Sequence, residues 1–308
     1  MVLMTIQTIT HDTTIWIDIV HPTSADVDAL KVRFPFIHPL HLEDLRSMRE
    51  RPKVDVRDEY LYISMHFPRW DAKVEVSRAE EIDFIVGRNF IITAHEGRIK
   101  PLCNLWEECR TSPELRRKIL SRGANDALYK LVDLLVDYIE PILDKIDVQL
   151  EEIEETVFTA NTQKTVEKVS IVRRDIIVLR RIIRQQVPVI ETLRDLEHPI
   201  LRDDLEEYFG DIADHIYRER DAIDEDIEII HGLSDTLNVL SSYRVNEIIR
   251  TLTVISVVML PLTFISSVYG MNVNLPLGDH PLGFFVVVAV MIVISIVMVA
   301  VFRRRGWV

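Results

Sequence analysis

Two long uncharged segments near the C-terminus constrain the fold of this chain more than any other feature. Residues 251–270, TLTVISVVMLPLTFISSVYG, hold no charged side chain over 20 positions, and residues 282–302 hold none over 21. At about 1.5 Å per residue each segment is about 30 Å long as a helix, which matches the hydrocarbon core of a bilayer. A soluble helix of this length normally carries a charged stripe, so both segments are predicted to cross a membrane.

The basic residues that flank the two segments predict their orientation. They lie on the outer side of the pair, at Arg244, Arg250, Arg303, Arg304 and Arg305. The connecting loop, residues 271–281, has no Lys or Arg and only Asp279 as a charge. By the positive-inside rule both termini are cytoplasmic and the loop is external. We therefore expect a multi-pass protein of the cell membrane, which is the inner membrane in a bacterial or archaeal source.

The composition limits the functions to consider. The chain has 36 Lys and Arg against 49 Asp and Glu, a net charge of -13, and no nucleic-acid partner is expected. Cys103 and Cys109 lack a paired metal-binding spacing and are predicted to be reduced thiols. The sequence contains neither a phosphate-binding G-x-x-x-x-G-K-[ST] loop nor an H-E-x-x-H motif. No nucleophile, base and orienting residue can be placed together, so an enzyme is not predicted.

Residues 1–100 alternate predicted strands and helices. Strands are predicted where β-forming residues alternate or cluster, in TIWIDI, EYLYISMHF and EEIDFIVGRNFIITAHE. The last of these is predicted to form two strands that turn at residues 87–89. A helix in PTSADVDALKVRF is capped by Thr23 or Ser24, and HPLHLEDLRS is predicted to be a second helix.

Long helices are predicted from about residue 99 onward. One covers 125–158 and keeps its apolar spacing past Pro141, and a second covers 162–195. A third begins near Leu201 and has no clear stop before Gly270. The predicted fold class is an α/β cytoplasmic domain followed by a long stalk helix and two C-terminal transmembrane helices.

The predicted domain plan has three parts. Residues 1–200 form the cytoplasmic α/β and helical domain, residues 201–250 the cytoplasmic stalk helix, and residues 251–308 the two-helix transmembrane domain with a basic tail. The stalk is strongly acidic, with twelve Asp and Glu between residues 203 and 228 against Arg218 and Arg220. Two interpretations stay open: a solvated helix face, or a charge run that concentrates cations near a pore.

One face of the first segment is small and polar. Alternating steps of three and four residues define a polar seam of seven positions: Asn246, Ile249, Thr253, Ser256, Leu260, Thr263 and Ser267. A seven-residue period keeps one face towards partner helices. Packing between membrane helices produces small and hydroxyl residues too, and a pore lining predicts the same pattern. One chain supplies one such face, so a pore needs several subunits around an axis.

The first segment ends in the uncharged stretch VYGMNVNLP, residues 268–276. Gly270 stands where a helix C-cap glycine is expected, beside an interfacial Tyr269 and a turn-forming Asn272. The motif is short, and its position at the external end of the first of two C-terminal spans makes it informative.

The chain resembles the CorA family of magnesium and cobalt transporters over most of its length. The resemblance lies in HPLHLEDL and RPKV, in LVDLLVDYIEPILDKID, in YFGDIADHI and in LPLTFISSVYGMN. It implies a homopentamer in a lipid bilayer whose first spans line the pore and whose Gly-Met-Asn loops form the external entrance. The family often has Met at the position of Leu260, a mild difference because both side chains are apolar and of similar size.

The resemblance also implies particular pore residues. Gly270, Met271 and Asn272 match the entrance motif, and Asn246 and Thr263 match pore-lining positions. The apolar gate of the family falls on Leu252 and Leu260. The polar seam passes through Thr253 instead of Leu252, so the register at the inner end differs between the two arguments. A ring of Asn amides suits hydrated Mg²⁺, since Mg²⁺ gives up its water reluctantly.

The family is regulated by divalent ions bound between cytoplasmic domains. The matching positions are Glu43 and Asp44 in HLEDL, Asp133 in LVDLL, and Asp211 with His215 in GDIADH. The leading hypothesis is therefore passive Mg²⁺ influx, with Mg²⁺ both transported and regulatory and with no organic cofactor. The alternatives are a Zn²⁺ transporter of the same superfamily, which tends to carry Gly-Ile-Asn at the entrance, and a membrane-anchored sensor that conducts nothing.

Overall fold

A computed structural model describes residues 5–48, 50–158, 162–199, 205–271 and 282–307. The chain divides into two compact units, residues 1–234 and residues 235–308. The first unit contains a sheet and the helices packed on it. The second contains the last part of the longest helix and one further helix.

The sheet has six strands in the described residues. Their bounds are β1 Ile6–His11, β2 Thr14–Val20, β3 Lys53–Val56, β4 Tyr60–Asp71, β5 Val76–Gly87 and β6 Phe90–His95. The order across the sheet is β1-β2-β6-β5-β4-β3. Only β2 and β6 pair in parallel, and the other neighbours are antiparallel. Helices cover both faces of the sheet, and the parallel strands β2 and β6 near its centre are accordingly mostly buried.

Nine helices follow or interrupt these strands in the described residues. Their bounds are α1 Ser24–Arg33, α2 Pro39–Ser47, α3 Lys100–Thr111, α4 Pro113–Leu120, α5 Ala124–Asp137, α6 Glu140–Thr156, α7 Thr162–Asp195, α8 Leu205–Tyr269 and α9 Gly283–Arg304. Helices α1 and α2 contact each other, and α5 and α7 contact β5.

Each face of the sheet is covered, and the alternation of side chains along β4 and β5 separates the two cores. Tyr60, Tyr62 and Ile85 lie in one buried cluster with Leu30 of α1 and Leu42 of α2. The intervening residues of β4 and β5 point to the opposite face, because successive side chains of a strand alternate. That face is the one available to α5 and α7. Helix α2 therefore lies against Tyr62 and its neighbours on the first face.

The N-terminal predictions are confirmed in their main points. The four predicted strands correspond to β2, β4, β5 and β6, with the turn between β5 and β6 at residues 88–89. Thr23 is the N-cap of α1, and it forms a capping box with Asp26. Strands β1 and β3 and the short helices α3 and α4 were not predicted.

The predicted continuous helix over residues 125–158 is wrong at one point. Helix α5 ends at Asp137 and α6 begins at Glu140, with a turn at Tyr138 and Ile139. Pro141 lies in the first turn of α6, where its missing N–H costs nothing, and it could not have continued the hydrogen bonding of α5. The apolar spacing survives the break, which is why the sequence pattern did not reveal it.

Candidate ion pathway and cytoplasmic carboxylate clusters

The second unit contains two helices that are long and apolar enough to cross a membrane, namely the end of α8 and all of α9. Within a single chain almost none of their apolar residues is buried. A surface this large and apolar is not stable in water and requires lipid or other subunits around it. The two spans predicted from the sequence are therefore present as helices.

The side of α8 that is covered within the unit is not the polar seam. A stripe at three- and four-residue spacing is buried or half-buried: Val254, Val258, Pro261, Ile265 and Val268. At about 100° per residue, the polar seam lies about 130° around the helix from this stripe. The seam residues are exposed, apart from the half-exposed Thr253. The seam is thus the face that a single chain leaves free for neighbours or for a pore.

The predicted pore residues lie on this free side of α8. Leu252 is 62% exposed and Leu260 is 73% exposed, and Asn246 and Thr263 are exposed as well. Leu260 and Thr263 share an open groove of about 580 Å³ with Ser256 and Ser267. Leu252 and Leu260 are separated by eight positions, which is two helical turns plus about 80°, so both candidate gate residues lie in the exposed half of α8 but on adjacent faces.

Two hydroxyl groups of the seam have a defined orientation. The Thr253 hydroxyl donates to the carbonyl of Ile249 at 2.8 Å, and the Thr263 hydroxyl donates to the carbonyl of Met259 at 2.9 Å. Because the hydroxyl hydrogen is used by the helix backbone, each oxygen presents only its lone pairs to the exterior. Both groups are therefore hydrogen-bond acceptors on the free face.

The junction after α8 is only partly described. Tyr269 is the last helical residue, the N–H of Gly270 donates to the carbonyl of Ser266 at 3.0 Å, and Met271 is exposed. Helix α8 therefore ends at the glycine expected from the sequence, although the backbone angle φ of Gly270 is not positive. Asn272 lies outside the described residues.

Three of the predicted regulatory residues come together in the first unit. The His215 side chain of α8 lies 3.3 Å from Asp137 of α5 through Nδ1 and 3.9 Å from Asp211 through Nε2. Burial, and then the negative charge of Asp137, raise the pKa of Asp133, on which His215 acts in the opposite direction. Asp137 was missed in the sequence, although it stands one helical turn after Asp133 in LVDLLVD.

An acidic cleft continues from this cluster along α6 and α8. It has a volume of about 250 Å³ and is lined by Asp137, Glu140, Leu143, Asp144, Asp147, His215, Arg218, Glu219 and Ala222. Burial, and then the charge of Glu140, raise the pKa of Glu219 to about 7. The sequence signal for the cleft is the three- and four-residue spacing of the acids on α6, which places them on one helix face.

The other two predicted regulatory residues lie on α2. Glu43 is exposed, and the Asp44 carboxylate accepts a hydrogen bond from the Lys53 ammonium at 3.4 Å. Lys53 also contacts Glu50 at 3.0 Å and Asp55 at 3.5 Å. Lys53 lies in the RPKV motif, but its contact with Asp44 could not be read from the sequence.

Within one chain, four of the five predicted regulatory residues thus form two sets, and Glu43 is exposed on α2. Asp133, Asp211 and His215 share one cluster, while Asp44 pairs with Lys53 in another. In the described ranges, no group of three or more His, Cys, Asp or Glu side chains has a geometry that could hold a metal ion. A divalent ion at these positions would need ligands from a second chain or a rearrangement of the side chains.

Neither interpretation of the acidic residues between 203 and 228, a solvated helix face or a charge run that concentrates cations, describes all of them. Asp224 accepts hydrogen bonds from Arg180 at 2.6 Å and from Arg184 at 2.8 Å, and both arginines belong to α7. Asp226 is buried, with 3% of its surface exposed. Part of the acidic run therefore packs against its neighbours, and Asp203 and Asp204 lie outside the described residues.

Comparisons with known proteins agree with this architecture. A model of the family described as CorA-like Mg2+ transporter protein matches residues 11–304. The cobalt/magnesium transport protein CorA of Thermotoga maritima is 30% identical over 294 residues, which cover 95% of this chain and 83% of that protein. The zinc transport protein ZntB of Pectobacterium atrosepticum is 27% identical over 206 residues, which cover 62% of each protein.

A solved structure shares the fold over nearly the whole chain. The complete structure of the CorA magnesium transporter from Methanocaldococcus jannaschii superposes with a TM-score of 0.81 and 23% identity, covering 97% of this chain and 94% of that one. The family match and the sequence relatives, on a chain with this architecture, identify a membrane transport protein for divalent cations, and not an enzyme. The chain belongs to the CorA-like Mg2+ transporter family.

Proposed function

We propose that this protein conducts Mg²⁺, and Co²⁺ as a second substrate, into the cytoplasm through a homopentameric pore lined by the polar seam of α8. The observation that carries the proposal is the position of the seam, which lies on the side of α8 that the chain itself leaves uncovered. Five copies that turn this side towards a common axis would form a continuous polar lining. Helix α9 is apolar throughout its span and suits contact with lipid.

The lining has the hydrogen-bonding character that a hydrated cation requires. The waters of hydrated Mg²⁺ point their oxygens at the ion and their hydrogens outward, so the first shell seeks acceptors. Thr253 and Thr263 present acceptor oxygens because their hydrogens are bonded to backbone carbonyls. The amide oxygens of Asn246 and Asn272 add further neutral acceptors, which hold the hydrated ion without the strong trap that a carboxylate ring would make.

Two apolar side chains on the exposed side of α8 supply the gate in this proposal. Leu252 and Leu260 would narrow and dry the pore when the helices approach, since apolar constrictions close channels by excluding water. The driving force is the membrane potential. Moving two charges through about 100 mV releases about 4.6 kcal/mol, twice the single-charge value of about 2.3.

Regulation is proposed to act through the cytoplasmic carboxylates. Asp44, which follows Glu43 on α2, is separate within one chain from the set of Asp133, Asp211 and His215, so a regulatory Mg²⁺ would join these carboxylates across neighbouring subunits. Carboxylate oxygens are suitable ligands for Mg²⁺, and burial together with the negative charge of Asp137 raises the pKa of Asp133. Bound Mg²⁺ would hold the cytoplasmic parts together, and its loss would let their like charges separate them.

The first test is divalent-ion uptake into proteoliposomes with an inside-negative potential and no internal Mg²⁺. The variant is Asn272→Ala, and the matched control is Asn274→Ala, the same change two positions further along the external loop. We expect Mg²⁺ uptake by the wild type and by the control, and loss of uptake in Asn272→Ala. Equal uptake by all three proteins would contradict the proposed entrance.

The same experiment separates the alternatives. Zn²⁺ uptake with little Mg²⁺ flux would favour a Zn²⁺ transporter, to which the ZntB similarity points, although Met271 stands where that branch tends to carry Ile. No flux of either ion from an assembled oligomer would favour a non-conducting sensor. Asp211→Ala tests regulation, because flux that stays equally sensitive to internal Mg²⁺ would remove Asp211 from the regulatory set.

A further inference from the structure

Lys53 occupies the position beside Asp44 that a regulatory cation would need. Its ammonium group lies 3.4 Å from the Asp44 carboxylate, 3.0 Å from that of Glu50 and 3.5 Å from that of Asp55. One positive charge therefore faces three negative charges, which leaves the group with a formal charge of about -2. The same nitrogen lies 5.2 Å from the centre of the Tyr62 ring, a cation–π contact.

The fold directs the lysine to this place. Lys53 is the first residue of β3 and pairs with Ser64 of β4, so its side chain rises on the face of the sheet that α2 covers. Asp44 comes from the last turns of α2, with 20% of its side chain exposed. Partial burial acts to lower the pKa of Lys53, but the hydrogen bond to Glu50 and the charges of Asp44 and Asp55 outweigh it and raise the pKa.

The neighbouring histidine does not change this charge balance at neutral pH. His41 is buried and contacts the Asp55 carboxylate at 3.3 Å. Burial lowers the pKa of His41, with Asp55 acting in the opposite direction, so the ring is neutral near pH 7. Lys53 is the permanent cation in this group of side chains.

We propose that Lys53 is a built-in competitor of the regulatory divalent cation at Asp44. When the ion is scarce, the ammonium neutralises Asp44; when it is abundant, the ion displaces the ammonium, which stays paired with Glu50 and Asp55. Lys53 thereby sets the internal Mg²⁺ concentration at which the channel closes. The inference rests on the proposed function, since it requires Asp44 to be a regulatory ligand.

The side chain is suited to such an exchange. Lysine carries its charge on a flexible stem with four rotatable bonds, so a small rotation separates it from one carboxylate while it keeps the others. The Glu50 contact is the shortest of the three, and it does not depend on Asp44. Displacement therefore costs one contact and leaves no ammonium group without a partner.

The test compares three lysine variants by Mg²⁺ flux as a function of internal Mg²⁺. Lys53→Met removes the competitor, Lys53→Arg retains its charge, and Lys73→Met removes the same charge at an exposed position of the β4–β5 turn. We expect Lys53→Met to lower the half-inhibiting Mg²⁺ concentration about two- to fivefold, the range for an ion pair at a partly exposed site. Lys53→Arg should stay closer to the wild type, and Lys73→Met should match it.

A second pair of variants shows whether the effect passes through Asp44. In an Asp44→Asn background the carboxylate for which Lys53 and Mg²⁺ compete is absent, so Lys53→Met should not change the dependence of flux on internal Mg²⁺. Unchanged Mg²⁺ inhibition in the single Lys53→Met variant would overturn the proposal. Weaker inhibition would overturn it too, because Lys53 would then support the binding of Mg²⁺ at Asp44 and not compete with it. A shift of equal size in both backgrounds would overturn it as well.

Failure of the inference and failure of the proposed function give different results. If Asp44→Asn abolishes Mg²⁺ inhibition and Lys53→Met does not shift it, only the role of Lys53 is wrong. If Asp44→Asn leaves Mg²⁺ inhibition intact, Asp44 is not a regulatory ligand and the proposed gating is wrong as well. Absence of Mg²⁺ flux in the wild type would reject the proposed function itself.

Discussion

Replacing the buried Asp226 by Asn should stabilise the protein at neutral and alkaline pH. Asp226 of α8 is 3% exposed, and one of its carboxylate oxygens has no hydrogen-bond partner in the described residues. Burial, and then the charge of Asp147 on α6, raise the pKa of Asp226 to about 7. A neutral Asp226 can donate to Asp147, whereas two carboxylates so close repel each other.

The size of the stabilisation by Asp226→Asn follows from the linkage between proton binding and folding. In the unfolded chain the pKa of an Asp is about 3.9, so the native state binds the extra proton between about pH 4 and pH 7. Stability therefore falls as the pH rises through this window and levels off above it. A shift of about three units corresponds to at most about 4 kcal/mol, and the exposure of Asp147 to water reduces this to about 1–3 kcal/mol.

Asp226→Asn removes this pH dependence because the amide stays neutral and can still donate to Asp147. We expect the variant to match the wild type at about pH 4 and below, and to melt about 2–6 °C higher at about pH 8. The measurement is the temperature at which half of the detergent-solubilised oligomer survives heating, taken at several pH values. Asp214→Asn, at an exposed position of the same helix, is the control.

The reasoning would be refuted by parallel melting curves for wild type and Asp226→Asn across this pH range. A variant that melts lower than the wild type at about pH 8 would refute it too, because Asp226 would then be stabilising as a carboxylate. Parallel curves would mean that folding does not raise the pKa of Asp226.

Three further predictions concern other parts of the chain. Asp224→Asn should lower the free energy of unfolding by about 1–2 kcal/mol, because Arg180 and Arg184 of α7 lose the carboxylate that they bind. Melting temperatures at low and high salt check this, since salt should reduce the difference between the wild type and the variant. Gly97→Ala should lower the free energy of unfolding by about 1–3 kcal/mol, because Gly97 has a φ of +63° and an added Cβ would lie 2.7 Å from Cγ1 of Val20. An unchanged melting temperature would show that the added methyl group causes no strain. Leu260→Ser should raise Mg²⁺ flux at high internal Mg²⁺ about tenfold, because it lowers the barrier to ion passage at the apolar constriction by about 1–2 kcal/mol. Leu260→Met should behave like the wild type. If both variants close equally well, Leu260 is not a gate.

Local patterns were sufficient for most of the secondary structure. Strands β2, β4, β5 and β6 follow from β-forming residues between turn signals, and both spans follow from the absence of charge over about 20 positions. The break between α5 and α6 was missed because the apolar residues keep their spacing across Pro141. Strand β3 has only four residues and is stabilised by its pairing with β4, a long-range contact that no local pattern carries.

The candidate site divides in the same way. The polar seam can be read from the sequence because a helix repeats its faces at a fixed spacing, and the structure shows that this face is left uncovered. The stoichiometry of five, the roles of the Gly-Met-Asn motif and the domain boundaries at residues 200 and 250 stay predictions. Asn272 lies outside the described residues, so the external entrance rests on the motif alone.

What only the tertiary structure decided is which charges face each other. Asp137 and His215 are 78 residues apart in the chain, yet their side chains lie 3.3 Å apart because α5 packs beside α8. Lys53 reaches Asp44 because β3 lies under α2, and Asp224 is bound by arginines of α7. Hydropathy and helical period are patterns among neighbouring residues, so they can be read directly from the sequence. Coulomb interactions depend on distance in space and on burial, and only the packed fold sets these two quantities.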